Sequence, residues 1–179
     1  MIYDKNYFKN AKRTILKRNE IVCFWKEMKL NGYLSQWYNS EMVIDGISYL
    51  NTEQYMMAQK AKLFGDEKIF NKIMKENTPS EFKRLGRLIK NFDDDIWNRE
   101  KRNIVLKGNI HKFSQNEKLK KLLLDTGDKI LIEASPYDDI WGVKLRETDS
   151  LILNINTWKG ENLLGFILME VRDYLKSFT

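Results

Sequence analysis

One stretch of the sequence, residues 51 to 64, combines the pattern of a packed helix with two charged side chains on its apolar face. At about 100° per residue, Lys60 and Phe64 fall within about 40° of Glu53. Glu53 and Lys60 then lie two turns, or about 10 Å, apart on that face. Because burying an unpaired charge costs several kcal/mol, such a pair indicates either a functional site or charges that find solvent or a partner.

The composition is that of a folded, helix-rich protein. The chain has 179 residues, enough for one domain with a sizeable core, and only 9 glycines and 2 prolines, which argues against disorder and against a β-sandwich. Cys23 is the only cysteine, which suits a reducing compartment. No apolar run approaches the roughly 20 residues of a transmembrane helix. We therefore expect a cytoplasmic protein with no membrane partner.

The strand and helix patterns follow one another without a repeat or a linker. Two short apolar runs flank Asp45-Gly46, a pair that favours a two-residue type I′ hairpin. Residues 21–25 and 129–134 have strand composition. Helices are predicted at 78–90 (with Thr78 and Glu81 as a capping box), from 93 towards 111, at 117–124, and at 163–176 behind Asn162 as cap. The sequence thus predicts an α+β fold, predominantly helical, with a small antiparallel sheet, in one domain over 20–179 that follows a basic N-terminal extension over 1–19.

The residue types that remain for chemistry are carboxylates, lysine and tryptophan. His111 is the only histidine, and no phosphate-binding or dinucleotide motif is present, so zinc, serine-hydrolase and Rossmann chemistry are poor hypotheses. Carboxylates on rigid elements suit glycosidic cleavage, in which one carboxylate stabilises an oxocarbenium-like centre. Tryptophans would stack on a flat leaving group, although core filling is their commoner role. Lysine or arginine would bind a phosphate.

Several stretches, in order, resemble the NADAR (YbiA-like) family of N-glycosidases. The resemblance is carried by residues 52–61, Leu85-Gly86-Arg87, residues 104–116, residues 133–142 and residues 158–172. It implies a mainly helical fold, no metal or other cofactor, and hydrolysis of N-glycosidic bonds in ribosyl phosphates. The implied substrates are phosphorylated intermediates of riboflavin synthesis or ADP-ribosyl adducts, including ADP-ribosylated guanine in nucleic acid.

The predicted site combines this resemblance with the residue types. The predicted catalytic residues are Glu53, Lys60 and Asp138, with Glu53 or Asp138 nearest the anomeric carbon. Lys60 either binds phosphate or traps a ring-opened sugar as an imine. The predicted substrate-binding residues are Ser35, Trp37, Trp97, Lys112, Gln115, Asn116, Glu133, Trp141, Asn162 and Arg172.

Two positions depart from the family pattern, and two other functions stay open. Gln36 stands where the family more often has asparagine, and Lys144 stands where it has glycine after Trp-Gly. Lys144 would alter substrate choice or block a close backbone approach, and it mildly favours a non-catalytic ADP-ribose or nucleotide-binding module. The net charge of +6 favours anionic partners and leaves room for an antitoxin or repair factor that removes ADP-ribose from nucleic acid.

Overall fold

A computed structural model describes residues 2–178 of the chain. Within this range the helices are α1 (Lys5–Asn10), α2 (Thr52–Leu63), α3 (Glu67–Ile73), α4 (Pro79–Gly86), α5 (Asp94–Ser114), α6 (Glu117–Leu124) and α7 (Leu163–Lys176). The strands are β1 (Ile21–Phe24), β2 (Met42–Ile44), β3 (Ile47–Tyr49) and β4 (Ile130–Glu133). The predicted, predominantly helical α+β fold is confirmed. No helix within residues 2–178 has both the length and the apolar character needed to cross a bilayer.

The chain divides into two compact units. The first consists of Met1–Ser35 with Glu117–Thr179, and the second of Gln36–Asn116. In the first unit, Phe8 of α1 is buried and stacks on Phe166 of α7, with 5.7 Å between the ring centroids. The boundary that we predicted between a basic extension over 1–19 and a domain over 20–179 stays a prediction.

The first unit is built around a parallel pair of strands. β1 and β4 pair in register from Ile21 with Ile130 to Phe24 with Glu133. α7 packs on β4, and Gly165 permits this contact because a Cβ there would lie 2.2 Å from the backbone oxygen of Leu131. Both strands were predicted, but their parallel pairing was not.

The second unit contains the predicted antiparallel hairpin and four helices. In the turn between β2 and β3, Asp45 and Gly46 have φ of 52° and 77°, the two positive values that a type I′ turn requires. The side chain of Asn51 caps α2 by accepting a hydrogen bond from the N–H of Gln54. Residues 52–58 are all buried, because β3, α3, α4 and α5 surround this helix. The apolar face of α2 predicted from the sequence is therefore buried, and so is the opposite face over residues 52–58.

Two local expectations in the second unit are wrong. α4 ends at Gly86 instead of near residue 90, and the side chain of Thr78 makes no capping hydrogen bond. The Thr78 hydroxyl lies 3.3 Å from that of Ser80, while Glu81 pairs with Arg84. The capping box is therefore not formed. α3 was not predicted at all.

Candidate functional site

The first candidate catalytic residue, Glu53, lies in the first turn of α2 and is only 4% exposed. The main-chain oxygen of Gln36 accepts hydrogen bonds from the Glu53 N–H (3.1 Å) and from the Thr52 hydroxyl (3.2 Å). Together with the Asn51 cap, these contacts fix the start of the helix. The Glu53 carboxylate is thus carried by a rigid turn, as a catalytic group requires.

The side chain of Gln36, one of the departures from the family pattern, is buried inside the second unit. Its Oε1 accepts a hydrogen bond from Nδ2 of Asn109 at 3.4 Å, and its Nε2 lies 3.4 Å from the sulfur of Met56. Gln36 therefore links α2 to α5. Asn109 is fully buried, and its Oδ1 has no partner among residues 2–178.

Lys60 is half-buried among aromatic rings. Its Nζ lies 4.0 Å from the ring centroid of Phe92 and 5.3 Å from that of Trp97, and it donates to the backbone oxygen of Gly86 at 3.2 Å. Burial lowers the pKa of the Lys60 ammonium, against the opposing effect of the Asp94 charge. The structure thus brings together the predicted residues Lys60 and Trp97. It also adds Phe92, which sequence reasoning missed because its position depends on the turn between α4 and α5.

The other predicted residues on α5 are not close to Trp97. Lys112 lies 15 residues further on, which is about 22 Å along a helix axis. Gln115 donates to the backbone oxygen of Val43 (2.7 Å) and accepts from its N–H (2.8 Å). The oxygen and the nitrogen of the Gln115 amide therefore satisfy the Val43 backbone groups on the edge of β2 that does not pair with β3. Of the remaining predicted residues, Trp37 and Asn116 are half-buried in the second unit, and Ser35 is buried in the first.

Lys112 is the most deeply buried lysine among the described residues, at 1% exposure. Its Nζ lies 5.1 Å from the ring centroid of Phe113 and 5.6 Å from that of Tyr38. Burial lowers the pKa of this ammonium to about 7. At neutral pH the folded protein therefore holds a proton on Lys112 far less tightly than the unfolded chain does.

We expect the stability of the protein to rise with pH between 7 and 9. In this window the unfolded chain binds more protons at Lys112 than the folded protein, so each pH unit adds up to about 1.4 kcal/mol. Urea unfolding at pH 7 and pH 9 should show a gain of about 2 kcal/mol. Below the folded pKa near 7 both states are protonated, and the slope disappears.

The matched control is Lys112→Met, which keeps the length of the side chain and removes its titration. This variant should show a flatter pH dependence, which then comes from Lys60 and Lys5, whose lowered pKa values act in the same direction. Cys23 opposes this trend in the wild type and the variant alike as the pH approaches 9, because the unfolded thiol ionises there while burial raises the pKa of the folded thiol to about 12. A slope unchanged in Lys112→Met would show that Lys112 does not titrate in this range.

In the first unit, the candidate carboxylate Asp138 stands in a tight turn after β4. Its Oδ1 accepts hydrogen bonds from the N–H groups of Ile140 (3.0 Å) and Trp141 (2.7 Å). Its Oδ2 has no hydrogen-bond partner among residues 2–178. One oxygen therefore fixes the carboxylate, and the other is available to a ligand.

The loop that carries Asp138 is bound along its backbone to the start of α7. The carbonyl oxygens of Ile140, Trp141 and Gly142 accept hydrogen bonds from the N–H groups of Leu163, Leu164 and Asn162, at 3.0–3.2 Å. Helix starts normally leave such N–H groups without a partner inside the helix. Here the loop satisfies them, which fixes Asp138 and Trp141 and leaves those N–H groups unavailable to an anion.

Asn162 fixes the end of β4. It is fully buried, and its side chain accepts from the N–H of Glu133 and donates to the carbonyl of Leu131, each at 2.9 Å. The predicted helix is confirmed, but its predicted side-chain cap is wrong, because the amide turns to the strand instead. Asn162 therefore positions the predicted residue Glu133.

Arg172 is placed away from this group. It is 2% exposed, and its guanidinium donates to the Thr126 hydroxyl and to the Lys129 backbone oxygen, both at 2.8 Å. Burial lowers the pKa of this guanidinium. Arg172 lies ten residues after Asn162, about 15 Å along the axis of α7. The structure therefore does not bring Arg172 together with Asp138, Trp141 and Glu133. Arg172 instead holds the turn before β4.

Lys144, the second departure from the family pattern, adopts a backbone conformation that favours glycine. Its φ is 59°, and its exposed ammonium pairs with Asp139 at 3.0 Å. The ion pair lowers the pKa of the Asp139 carboxyl. The surface thus accommodates the lysine side chain, but the left-handed backbone conformation of Lys144 is energetically unfavourable for a residue with a Cβ.

We expect Lys144→Gly to raise the free energy of unfolding by up to about 1 kcal/mol. Glycine adopts a positive φ without the Cβ clash, while the exposed ion pair contributes little. Urea denaturation measures the difference. Lys144→Ala is the control, because it loses the ion pair and keeps the left-handed Cβ. An alanine variant as stable as the glycine variant would contradict the backbone explanation.

Glu53 and Asp138 are carboxylates on turns whose backbone is held by hydrogen bonds, and carboxylates are the residue type on which glycosidic cleavage depends. No three histidine, cysteine, aspartate or glutamate side chains within residues 2–178 are grouped so as to hold a metal ion. The NADAR domain family matches residues 23–176. The chain therefore belongs to the NADAR family, and the resemblance inferred from the sequence is confirmed.

Known relatives confirm the prediction of a glycosidase enzyme. N-glycosidase R617 of Acanthamoeba polyphaga mimivirus is 46% identical over 144 residues, which cover 78% of this chain and 85% of the relative. N-glycosidase YbiA of Escherichia coli (strain K12) is 30% identical over 163 residues, which cover 88% of this chain and 90% of the relative. The NMR structure of the E. coli protein YbiA matches 92% of this chain and 90% of its own length, with a TM-score of 0.73 at 27% identity.

Proposed function

We propose that this protein hydrolyses the bond between ribose and a nitrogen heterocycle in phosphorylated or ADP-ribosylated ribosides. The relatives named N-glycosidases support the reaction class. The family resemblance supports two groups of substrate, phosphoribosyl-pyrimidine intermediates of riboflavin synthesis and ADP-ribosyl-guanine. The reaction takes place with the chain's own residues and needs no cofactor.

The observation that carries this proposal is the geometry of Asp138. As the base leaves, positive charge develops on the anomeric carbon and the ring oxygen of the ribose. A carboxylate that is already fixed stabilises this charge without having to reorganise. The N–H groups of Ile140 and Trp141 fix one oxygen of Asp138, and the other has no partner among residues 2–178. Asp138 is thus suited to stabilise the sugar cation or to activate the attacking water.

Glu53 is the second candidate for this role. It lies in a buried helix turn, where the carbonyl oxygen of Gln36 holds its backbone N–H. In glycoside hydrolysis, one carboxyl group faces the sugar cation and another group protonates the leaving atom. Trp141, half-buried in the Asp138 loop, would pack on the leaving heterocycle.

Two roles are open to Lys60, and its lowered pKa favours the second of them. As an ammonium, Lys60 would bind a phosphate oxygen. As a neutral amine, which burial favours, it would add to the aldehyde of a ring-opened sugar and form an imine with loss of water.

The imine role predicts a covalent product. Borohydride added during turnover should reduce the imine to a stable secondary amine on Lys60, detectable by mass spectrometry of the digested protein. Lys60→Arg keeps the positive charge and should give no adduct. If the active wild type carries no reduced sugar adduct on Lys60, phosphate binding remains as the role of this residue.

The direct test of the function is to incubate the protein separately with a phosphoribosyl-pyrimidine and with ADP-ribosyl-guanine. Mass spectrometry of the products should show a free base and the corresponding free ribosyl phosphate or ADP-ribose. Binding of ADP-ribose, measured by calorimetry, without release of base from either compound would instead indicate a binding module.

ADP-ribosylated nucleic acid is a further proposed substrate. The net charge is +6, and Lys9, Lys12 and Lys17 are all exposed. Exposed ammonium groups attract the phosphate backbone of a nucleic acid, and such binding weakens as salt is added. The same base-release reaction would then act on a polymer, as in a repair or antitoxin factor.

A further inference from the structure

An aromatic pair lies at the carboxyl ends of the parallel strands. β1 and β4 run in parallel and end at the paired residues Phe24 and Glu133. In parallel sheets the segments that follow neighbouring strands meet at the same edge, which is where ligands bind. Trp25 follows β1, and Tyr137 lies in the loop after β4. Their ring centroids are 6.0 Å apart, with a tilt of 52° between the planes.

Tyr137 is the most exposed aromatic residue among residues 2–178, at 75%. Its position is nevertheless defined, because Trp25 supports the ring and the Ser135 hydroxyl lies 3.4 Å from the Tyr137 N–H. A supported ring with an open face is the kind of surface on which a nucleobase stacks. Tyr137 also directly precedes the candidate carboxylate Asp138.

A positive charge completes this group. Nζ of Lys26 lies 4.9 Å from the ring centroid of Trp25, and Lys26 is exposed. Its ammonium supports Trp25 by a cation–π contact and also offers donors to a phosphate oxygen. Trp25 is therefore flanked by Tyr137 and Lys26, and the open ring is that of Tyr137.

We propose that Tyr137, supported by Trp25 and accompanied by Lys26, binds a second planar ring of the substrate, joined through phosphates to the ribose whose bond is cleaved. This inference rests on the proposed N-glycosidase function and narrows its substrate class. A ribosyl compound with a diphosphate and a second nucleobase fills the subsite. A compound with a single heterocycle on ribose phosphate leaves it empty.

Calorimetry with ADP-ribose and with ribose 5-phosphate tests the subsite, because only the first probe carries a second ring. Tyr137→Ala should weaken the binding of ADP-ribose by about 10- to 100-fold, the range for loss of one base–aromatic stack. Its affinity for ribose 5-phosphate should stay within about twofold. Tyr137→Phe keeps the ring and should bind ADP-ribose nearly as well as the wild type.

Tyr174→Ala is the matched control, because Tyr174 is another exposed aromatic residue of the same unit, 45% exposed on α7. It should leave both affinities unchanged. Equal effects of Tyr137→Ala on the two probes, or none on ADP-ribose, would overturn the subsite, as would failure of the wild type to bind ADP-ribose.

The base-release assay separates this inference from the function on which it rests. Binding of ADP-ribose that depends on Tyr137, with no release of base from ADP-ribosyl-guanine or from the phosphoribosyl-pyrimidine, would overturn the N-glycosidase proposal and retain the subsite. If the wild type and Tyr137→Ala both release base from ADP-ribosyl-guanine with the same KM, the function is retained and the subsite is overturned.

Discussion

Replacing Glu53 by glutamine is expected to lower turnover by at least about 100-fold, within the range of about 10²–10⁴ for a group that acts in acid–base catalysis. Glutamine matches the shape of glutamate but carries no charge and cannot transfer a proton. The first turn of α2 should persist, because Asn51 and the backbone of Gln36 hold it. Steady-state kinetics measures the loss, and circular dichroism with thermal unfolding checks the fold. Unchanged turnover in a folded variant would remove Glu53 from the mechanism.

Asp138→Asn is the matched partner of this experiment. Asparagine Oδ1 still accepts hydrogen bonds from Ile140 and Trp141, so the turn should be preserved while the charge is lost. The carboxylate nearest the anomeric carbon should show the larger fall in kcat. Comparing the two variants therefore tests which of the two carboxylates acts on the sugar cation.

Asn162→Ala should destabilise the protein by about 3–5 kcal/mol, because it leaves one buried and one part-buried backbone group of β4 without a partner. Alanine also tolerates the positive φ of 56° less well than asparagine does. Each unsatisfied buried group costs about 1–3 kcal/mol. Chemical denaturation measures this loss. Turnover should fall as well, because the loop after Glu133 loses its anchor.

Asn162→Gly separates the two contributions. Glycine loses the same hydrogen bonds but accepts a positive φ, so this variant should be about 1 kcal/mol more stable than Asn162→Ala. Similar stability of the glycine variant and the wild type would show that the amide contributes little. The comparison has a parallel in Lys144, which also has a positive φ.

The sequence predicts best those elements whose signals are local. Asp45-Gly46 specifies its hairpin because both residues tolerate positive φ. α6 and α7 begin and end at the predicted residues because their apolar periodicity and flanking polar residues are contained in one stretch. α3 was missed although a local signal is present, since the Asp66 side chain caps it by accepting a hydrogen bond from the Ile69 N–H. The end of α4 was misplaced, because it depends on packing against α2.

The candidate site is predictable in its residue types and only partly in its geometry. Glu53, Lys60 and Asp138 were predicted from periodicity, strand ends and family resemblance, whereas Phe92, the aromatic neighbour of Lys60, was not predicted. Arg172 and Gln115 look like ligand-binding side chains in the sequence. In the structure their polar atoms bind backbone groups of distant segments, a use that a one-dimensional pattern does not reveal.

The hydrogen bonds between the Asp138 loop and α7 have a consequence for motion. The amides of Leu163 and Leu164 donate to Ile140 and Trp141, so these amides exchange with solvent only when the loop detaches or α7 frays. Their protection against deuterium exchange thus reports how often the loop opens. A substrate that orders the loop will slow exchange at two amides that do not themselves contact it, which provides a label-free signal of site occupancy in solution.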